Sequence, residues 1–412
     1  MLKGSLRFAA AAAVLMIAAA GCSSKEERSS QNSKGSGGAA WSAGTDEVQI
    51  GLIAPMTGPF AVLGVSQQNS IQIVADQINA ARGIGGAKLK IVTRDVGLDP
   101  AKAVAAATEL AGDQRIRLVI GPSITSFYNA TKAIYEQNKK VNCQPAVAGG
   151  TFEDLNYGFR SQDRLTDGVD RILRYLKSKN ITTIGEIYEG DDTGKQVNSL
   201  LSSIGPKYGI QLVGYEQTRQ DDQTHLPYVQ KLAGAGAIWI SSNVSGAKTM
   251  AAAAEAKYKG VLVGGSGIQN IAFLEAAGDA AAGTVFAAPN YQFPIRDRAT
   301  WKPGYKTHIE AIEGKYGVNT GPKTGATSPK GTAIAADCVY GYWKAADAAK
   351  SLDSAKVAEA LTDMSLPDTN TPSGCAIKPG KQHEFYALAC IRAYKWEKDG
   401  QGWFTTDVTP AD

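Results

Sequence analysis

The chain is short of the residues that enzymes and metal centres draw on. Its 412 residues include three histidines, His225, His308 and His383, far apart and on unrelated segments. Their surroundings in sequence assemble neither a metal site nor a Ser-His-Asp arrangement. There are five cysteines, and none of their spacings fits zinc. Excess charge of one sign is also missing: a formal net charge of +4 is too mild to point to nucleic acid. Beyond the N-terminus no segment reaches about 18 uninterrupted apolar residues, so no transmembrane helix is predicted there. Neither a cofactor nor a metal is expected.

Complete catalytic motifs are missing too. Gly190-Asp-Asp-Thr-Gly194-Lys195-Gln196 follows a predicted strand and opens a predicted helix, as a phosphate-binding loop does. It has one residue too few between its glycines, and Gln196 stands where a magnesium-binding hydroxyl is needed. Gly264-Gly265-Ser266-Gly267 follows a strand like a nucleophile elbow, but Ile268 stands where the last glycine belongs. Gly83-Ile84-Gly85-Gly86 follows a helix and reads as a turn. The sequence therefore predicts no catalytic residue and no enzyme.

What is present begins with an export segment. Lys3 and Arg7 precede the apolar run Phe8 to Ala20, and the small residues Ala19-Ala20-Gly21 lead directly to Cys22. This arrangement resembles a bacterial lipobox, with Ala19 where Leu is usual. The resemblance implies a lipoprotein signal peptide over 1–21 and a lipid-bearing thiol on Cys22. Residues 22–46 are rich in Ser, Gly, Lys and Glu and read as a flexible tether. Roughly 390 residues remain, enough for two domains. Four cysteines remain as well, and an exported chain permits two disulfides. Lys378-Pro379-Gly380-Lys381 supplies a turn that brings Cys375 towards Cys390. Cys143 and Cys338 are then left over, and whether they meet stays open.

From Val48 the pattern alternates. Short apolar strands at 48–54, 89–92, 118–120 and 141–148 are separated by helical periodicity, including an Asp99-Pro100 helix start. A second series begins near Asp167, with strands at 181–187, 210–215, 237–241, 261–264 and 284–288. The reading is an α/β fold of two Rossmann-like lobes built on parallel sheets. Helices near 302–316, 330–349 and 354–363, and strands over 375–397, return to complete the lobes. In such folds the loops at strand carboxyl ends hold ligands. Here they are 55–64, 121–126 and 146–151 in the first lobe, and 188–194, 241–245 and 264–269 in the second.

Ile50-Gly-Leu-Ile-Ala-Pro-Met-Thr-Gly-Pro59, Gly64, Asp76-Gln-Ile-Asn79, Gly83-Ile84, Asp99-Pro100-Ala-Lys-Ala103 and Val119-Ile-Gly-Pro122 follow one another in a telling order. In order and spacing they resemble the type I periplasmic binding proteins of the leucine/isoleucine/valine class. The resemblance is strong over 48–150 and faint in the last third. It implies two lobes joined by a three-strand hinge: 47–163 with 290–374, and 164–289 with 375–412. It also implies a ligand enclosed by hinge closure. First-lobe contacts fall on Leu63, Ser123, Thr125, Ala146 and Ala148, and second-lobe contacts on Tyr188, Asn243 and Ser266. Leu63 stands where an aromatic ring is frequent, and Ala148 where Thr is common. Ser266 stands where an acid usually meets the ligand ammonium. A standard amino acid then requires a counter-charge from Asp163, Asp191 or Asp192. Otherwise the ligand is an amide, a urea-like compound, a carboxylate or an aromatic acid. The implied role is a lipid-anchored, monomeric solute-binding protein on the outer face of a bacterial membrane, serving an ABC permease and ATPase. The alternative is a sensor of the same fold that reports to a membrane partner.

Overall fold

The computed structural model describes residues 41–411 except 220, 243–244, 270, 290–297, 318–328 and 401. The expected signal peptide, Cys22 and the tether up to residue 40 lie outside the described residues, as does Asn243.

The first lobe starts with β1 (Glu47–Ala54), α1 (Ala61–Ala80), β2 (Lys88–Asp95), α2 (Pro100–Gly112), β3 (Ile116–Ile120), α3 (Thr125–Gln137), β4 (Val141–Gln144) and β5 (Gly158–Arg160). These strands form an all-parallel sheet in the order β2-β1-β3-β4-β5. Near-continuous apolar strands such as β1 are what a sheet covered on both faces demands. Asp99 caps α2 by accepting from the N–H groups of Ala101 and Lys102, as the Asp-Pro start predicts.

The chain then enters a second α/β layer: α4 (Leu165–Ser178), β6 (Thr183–Glu189), α5 (Asp192–Ile204), β7 (Gln211–Thr218), α6 (Leu226–Lys231), β8 (Ala237–Ser241), α7 (Gly246–Glu255), β9 (Val261–Gly264), α8 (Ile271–Ala277) and β10 (Val285–Pro289). It returns through α9 (Pro303–Tyr316), α10 (Pro329–Ala349) and α11 (Ser354–Thr362), and finishes with β11 (Ile391–Asp399) and β12 (Gly402–Asp407). The second sheet runs β12-β11-β10-β9-β8-β6-β7, parallel except for the antiparallel pairs β10–β11 and β11–β12.

Helices α10 and α11 pack with α1 on one face of the first sheet, through Ile71, Val74, Val339, Tyr342 and Val357. Alanine-rich α2 and the aromatic residues of α3 cover the other face. The chain therefore crosses between the sheets three times: after β5, after β10 and before β11.

One expectation needs correction. Residues 375–390 form no continuous strand, and Cys375, Ile377, Phe385, Tyr386 and Cys390 belong to the first-lobe core. Buried Asp337 of α10 holds them there, accepting from Ser373 N–H, Ser373 Oγ and Tyr386 Oη. The strand and the return to the second sheet begin only at Ile391.

Both disulfides are formed. Cys375 pairs with Cys390, and Cys143 of β4 pairs with Cys338 of α10, with Cα atoms 5.7 and 5.8 Å apart. The second bond spans 195 residues and the first only 15. Loop-closure entropy values them at about 5 and about 3 kcal/mol respectively. The Cys143→Ala/Cys338→Ala variant should therefore lose more stability in guanidinium unfolding than Cys375→Ala/Cys390→Ala. The reverse order would show that local packing, not chain entropy, governs these bonds.

Candidate functional site

The parallel strands of both sheets end on one cleft. A cavity of about 540 Å³ lies there, within the range typical of small-molecule pockets. The first lobe contributes the loops after β1, β3 and β4. The second contributes the turns after β6, β8 and β9. Gly121 opens the loop after β3, where a Cβ would sit 2.2 Å from the Ile53 carbonyl oxygen and where its φ of +89° is one that glycine tolerates.

Six of the sequence-predicted residues line the cavity: Leu63, Ser123, Thr125, Ala146, Ala148 and Ser266. Thr125 is the first residue of α3. The N-cap, Ile124, has no side-chain oxygen to give, so α3 presents an uncapped N-terminus to the cavity. Ser123 donates its hydroxyl inward to Gln67 Oε1 at 2.7 Å. Ser266 Oγ accepts from Gln162 Nε2 at 2.8 Å.

Tyr188 is not among the lining residues. Its ring packs beside Tyr215, and it crowds the space where Gly194 would carry a Cβ. Its strand neighbour Glu189 lines the cavity instead, as expected when successive strand residues face opposite ways. Sequence reasoning missed Glu189. Its position at the carboxyl end of β6, immediately before Gly190, was the available signal.

The charge of the cavity is one-sided. Asp163, Glu189, Asp191 and Asp192 line it, and among the described residues no Lys, Arg or His does. Asp163 and Glu189 are buried. Glu189 Oε1 accepts from Ser242 Oγ at 2.6 Å and from Ser245 N–H and Oγ at 2.7 Å, which fixes its carboxylate in place. Asp191 caps α5 through Gly194 N–H. Burial raises its carboxyl above the ordinary range, and the neighbouring negative charges of Glu189 and Asp192 add to the rise. Apolar walls from Phe60, Leu98, Phe127, Leu165, Val197 and Trp239 complete the cavity. The arrangement can hold an anionic group at α3, a cationic group at the acids and an apolar body between them.

The three histidines lie elsewhere, each in a local hydrogen bond: His225 with Thr249, His308 with Ser70, and His383 with the Gly158 carbonyl and Thr362. Among the described residues no group of His, Cys, Asp and Glu forms a metal-binding cluster.

A periplasmic binding protein family model matches residues 47–401. The leucine-, isoleucine-, valine-, threonine- and alanine-binding protein of Pseudomonas aeruginosa is 26% identical over 348 residues, 82% of this chain and 87% of that protein. Leu/Ile/Val-binding protein homolog 3 of Brucella melitensis is 27% identical over 285 residues, 66% of this chain and 74% of that protein. Among solved structures, a periplasmic binding protein type 1 from Bordetella pertussis has a TM-score of 0.76 at 19% identity, covering 88% of this chain and 100% of that one. A branched-chain amino acid transporter substrate-binding protein, LivJ of Streptococcus pneumoniae solved with isoleucine, has a TM-score of 0.72 at 20% identity, again over 88% and 100%. At these identities the solved structures establish a shared fold.

Directly beneath the cavity wall lies Glu186, fully buried and accepting from Ser241 Oγ at 2.7 Å. Burial pushes its carboxyl up to about 7 from 4.5. Between those values the native state holds a proton that the unfolded chain has lost. The stability it contributes is therefore present at low pH and lost as pH rises through this window. Glu186→Gln, neutral throughout, should match wild type near pH 4.5 and exceed it by about 1–3 kcal/mol at pH 8. Urea unfolding at the two pH values checks this, and parallel pH profiles would exclude Glu186 as the titrating group.

Proposed function

The chain belongs to the periplasmic binding protein family, whose members bind ligands without turning them over, and on that premise we infer that it captures a small zwitterion, an α-amino acid with a neutral, largely apolar side chain, for an ABC importer. The observation that carries this reading is the polarity of the cavity. An uncapped helix N-terminus on the first lobe suits a carboxylate. Four carboxylates, with no cationic side chain beside them among the described lining residues, suit an ammonium. Ser266 lacks the expected acid, and Glu189 and Asp163 supply the charge from other positions around the same cavity. The relatives named for leucine, isoleucine and valine binding are consistent with this ligand class. Cys22 would carry the lipid, and the tether would let the binding body approach a permease on the outer face of the membrane.

Thermal unfolding against L-leucine, L-valine, L-glutamate, urea and 3-methylbutanoate tests the ligand. A ligand at about 100 times its Kd adds about 2.7 kcal/mol, a shift of several degrees. L-leucine or L-valine should shift the protein. L-glutamate should not, because its second carboxylate faces the acids, and 3-methylbutanoate should not, because it lacks the amine. A shift with 3-methylbutanoate or urea alone would overturn the amino-acid reading. Glu189→Gln should then weaken binding about tenfold to a hundredfold in calorimetry, the range for one hydrogen bond to a charged group. Thr125→Ala should weaken it less and leave the fold intact. Unchanged affinity would remove either residue from the site.

A further inference from the structure

The loop that carries Ala146 and Ala148 into the cavity has little regular structure of its own. One buried side chain holds it. Arg160, the last residue of β5, is 1% exposed. Its Nη1 donates to the carbonyls of Ala148 at 2.8 Å, Gly149 at 3.0 Å and Val147 at 3.4 Å, and Nη2 reaches the Gly150 carbonyl at 3.4 Å. The same guanidinium forms a two-pronged pair with Glu384, Nε to Oε2 at 2.7 Å and Nη2 to Oε1. Glu384 lies on the stretch leading to the third crossing, and its backbone is bound to the first: Arg160 N–H donates to the His383 carbonyl and Phe385 N–H to the Arg160 carbonyl. The guanidinium also sits 4.7 Å from the centre of the Phe152 ring, which stacks on Tyr128 of α3.

The loop in turn meets the second lobe. Ala148 O accepts from Leu165 N–H at the start of α4, and Gly150 N–H donates to Gln196 of α5. A single planar fork therefore ties together two hinge segments, one wall of the cavity and the contact with the moving lobe. Fixed fork geometry is what guanidinium supplies and ammonium does not.

We propose that the Arg160–Glu384 pair is a positioning element that sets the 146–151 loop in its ligand-receiving shape and couples that shape to the hinge. The proposal rests on the amino-acid reading only for the choice of probe.

The test uses the full chain carrying Arg160→Lys, which keeps a cation opposite Glu384 but cannot serve the carboxylate and the loop carbonyls together. The second variant, Arg160→Met/Glu384→Met, removes both buried charges, a change that is often neutral for stability. Calorimetry with L-leucine and hydrogen–deuterium exchange of the ligand-free protein are the readouts. The expected result is a near-native thermal midpoint, at least tenfold weaker L-leucine binding, and at least tenfold faster exchange confined to the peptide covering 145–152, with β1 unchanged. A folded variant of either kind with wild-type affinity and wild-type exchange overturns the proposal. If Arg160→Lys does not fold, the double variant decides. If wild type itself ignores L-leucine, the ligand reading fails and the exchange result alone judges the coupling.

Discussion

Parallel pairing governs this molecule. A strand in a parallel sheet must be followed by a crossover before the next can pair, so within each sheet the strands β1 to β5 and β6 to β10 point one way and their connecting turns at the carboxyl end fall on one edge. Two such sheets, entered and left by three crossings of the chain, bring their turns to a shared cleft. Nothing at the cleft needs regular structure of its own. Its parts are inherited from β1, β3 and β4 on one side and from β6, β8 and β9 on the other. This arrangement explains how residues as distant as Leu63 and Ser266 line one cavity, and why loop chemistry can vary while the scaffold stays constant.

Electrostatics gives that cleft a direction. A helix N-terminus with no side-chain cap stands on one side, and carboxylates gather from the turn after β6 and from the crossing at Asp163. A charge inside a low-dielectric cleft is felt over several ångströms, so a ligand ammonium can be stabilised by an acid at any of several positions around it. On the amino-acid reading proposed above, the missing acid at Ser266 changes only where the counter-charge sits, because the described lining is acidic elsewhere. The field at any point of the cleft is a sum over all these positions, so no single one of them sets it.

The parts legible in the sequence were those whose physics is local. Buried parallel strands read as apolar runs, Asp99-Pro100 announced a helix, and Gly121-Pro122 announced a turn. The two lobes and most of the lining followed from these. Glu189 was missed because periodicity says which strand residues share a face but not which face is the cleft, and Tyr188 is the more conspicuous side chain. The stretch 375–390 carries aromatic residues that suit a sheet. Its place is set instead by Asp337, nearly forty residues earlier on α10, and no local pattern encodes that hydrogen bonding. The Cys143–Cys338 pairing is equally non-local: it depends on α10 returning over β4 after β6 to β10 of the second sheet have been made.

Arg160 belongs with these non-local features, and it bears on how the cavity works. Among the described residues, Asp163, Glu189, Asp191 and Asp192 line the cleft, and no cationic side chain does. Taking carboxylates out of water as lobes close is costly. On the amino-acid reading proposed above, the ligand ammonium offsets that cost, so closure is favoured with the ligand bound. Such selection by charge requires that the first-lobe wall keep its shape while the second lobe moves. The guanidinium that grips the 147–150 carbonyls, anchored on Glu384, meets that requirement: it carries its own counter-charge, so it stiffens the wall without drawing on the acids that line the cavity.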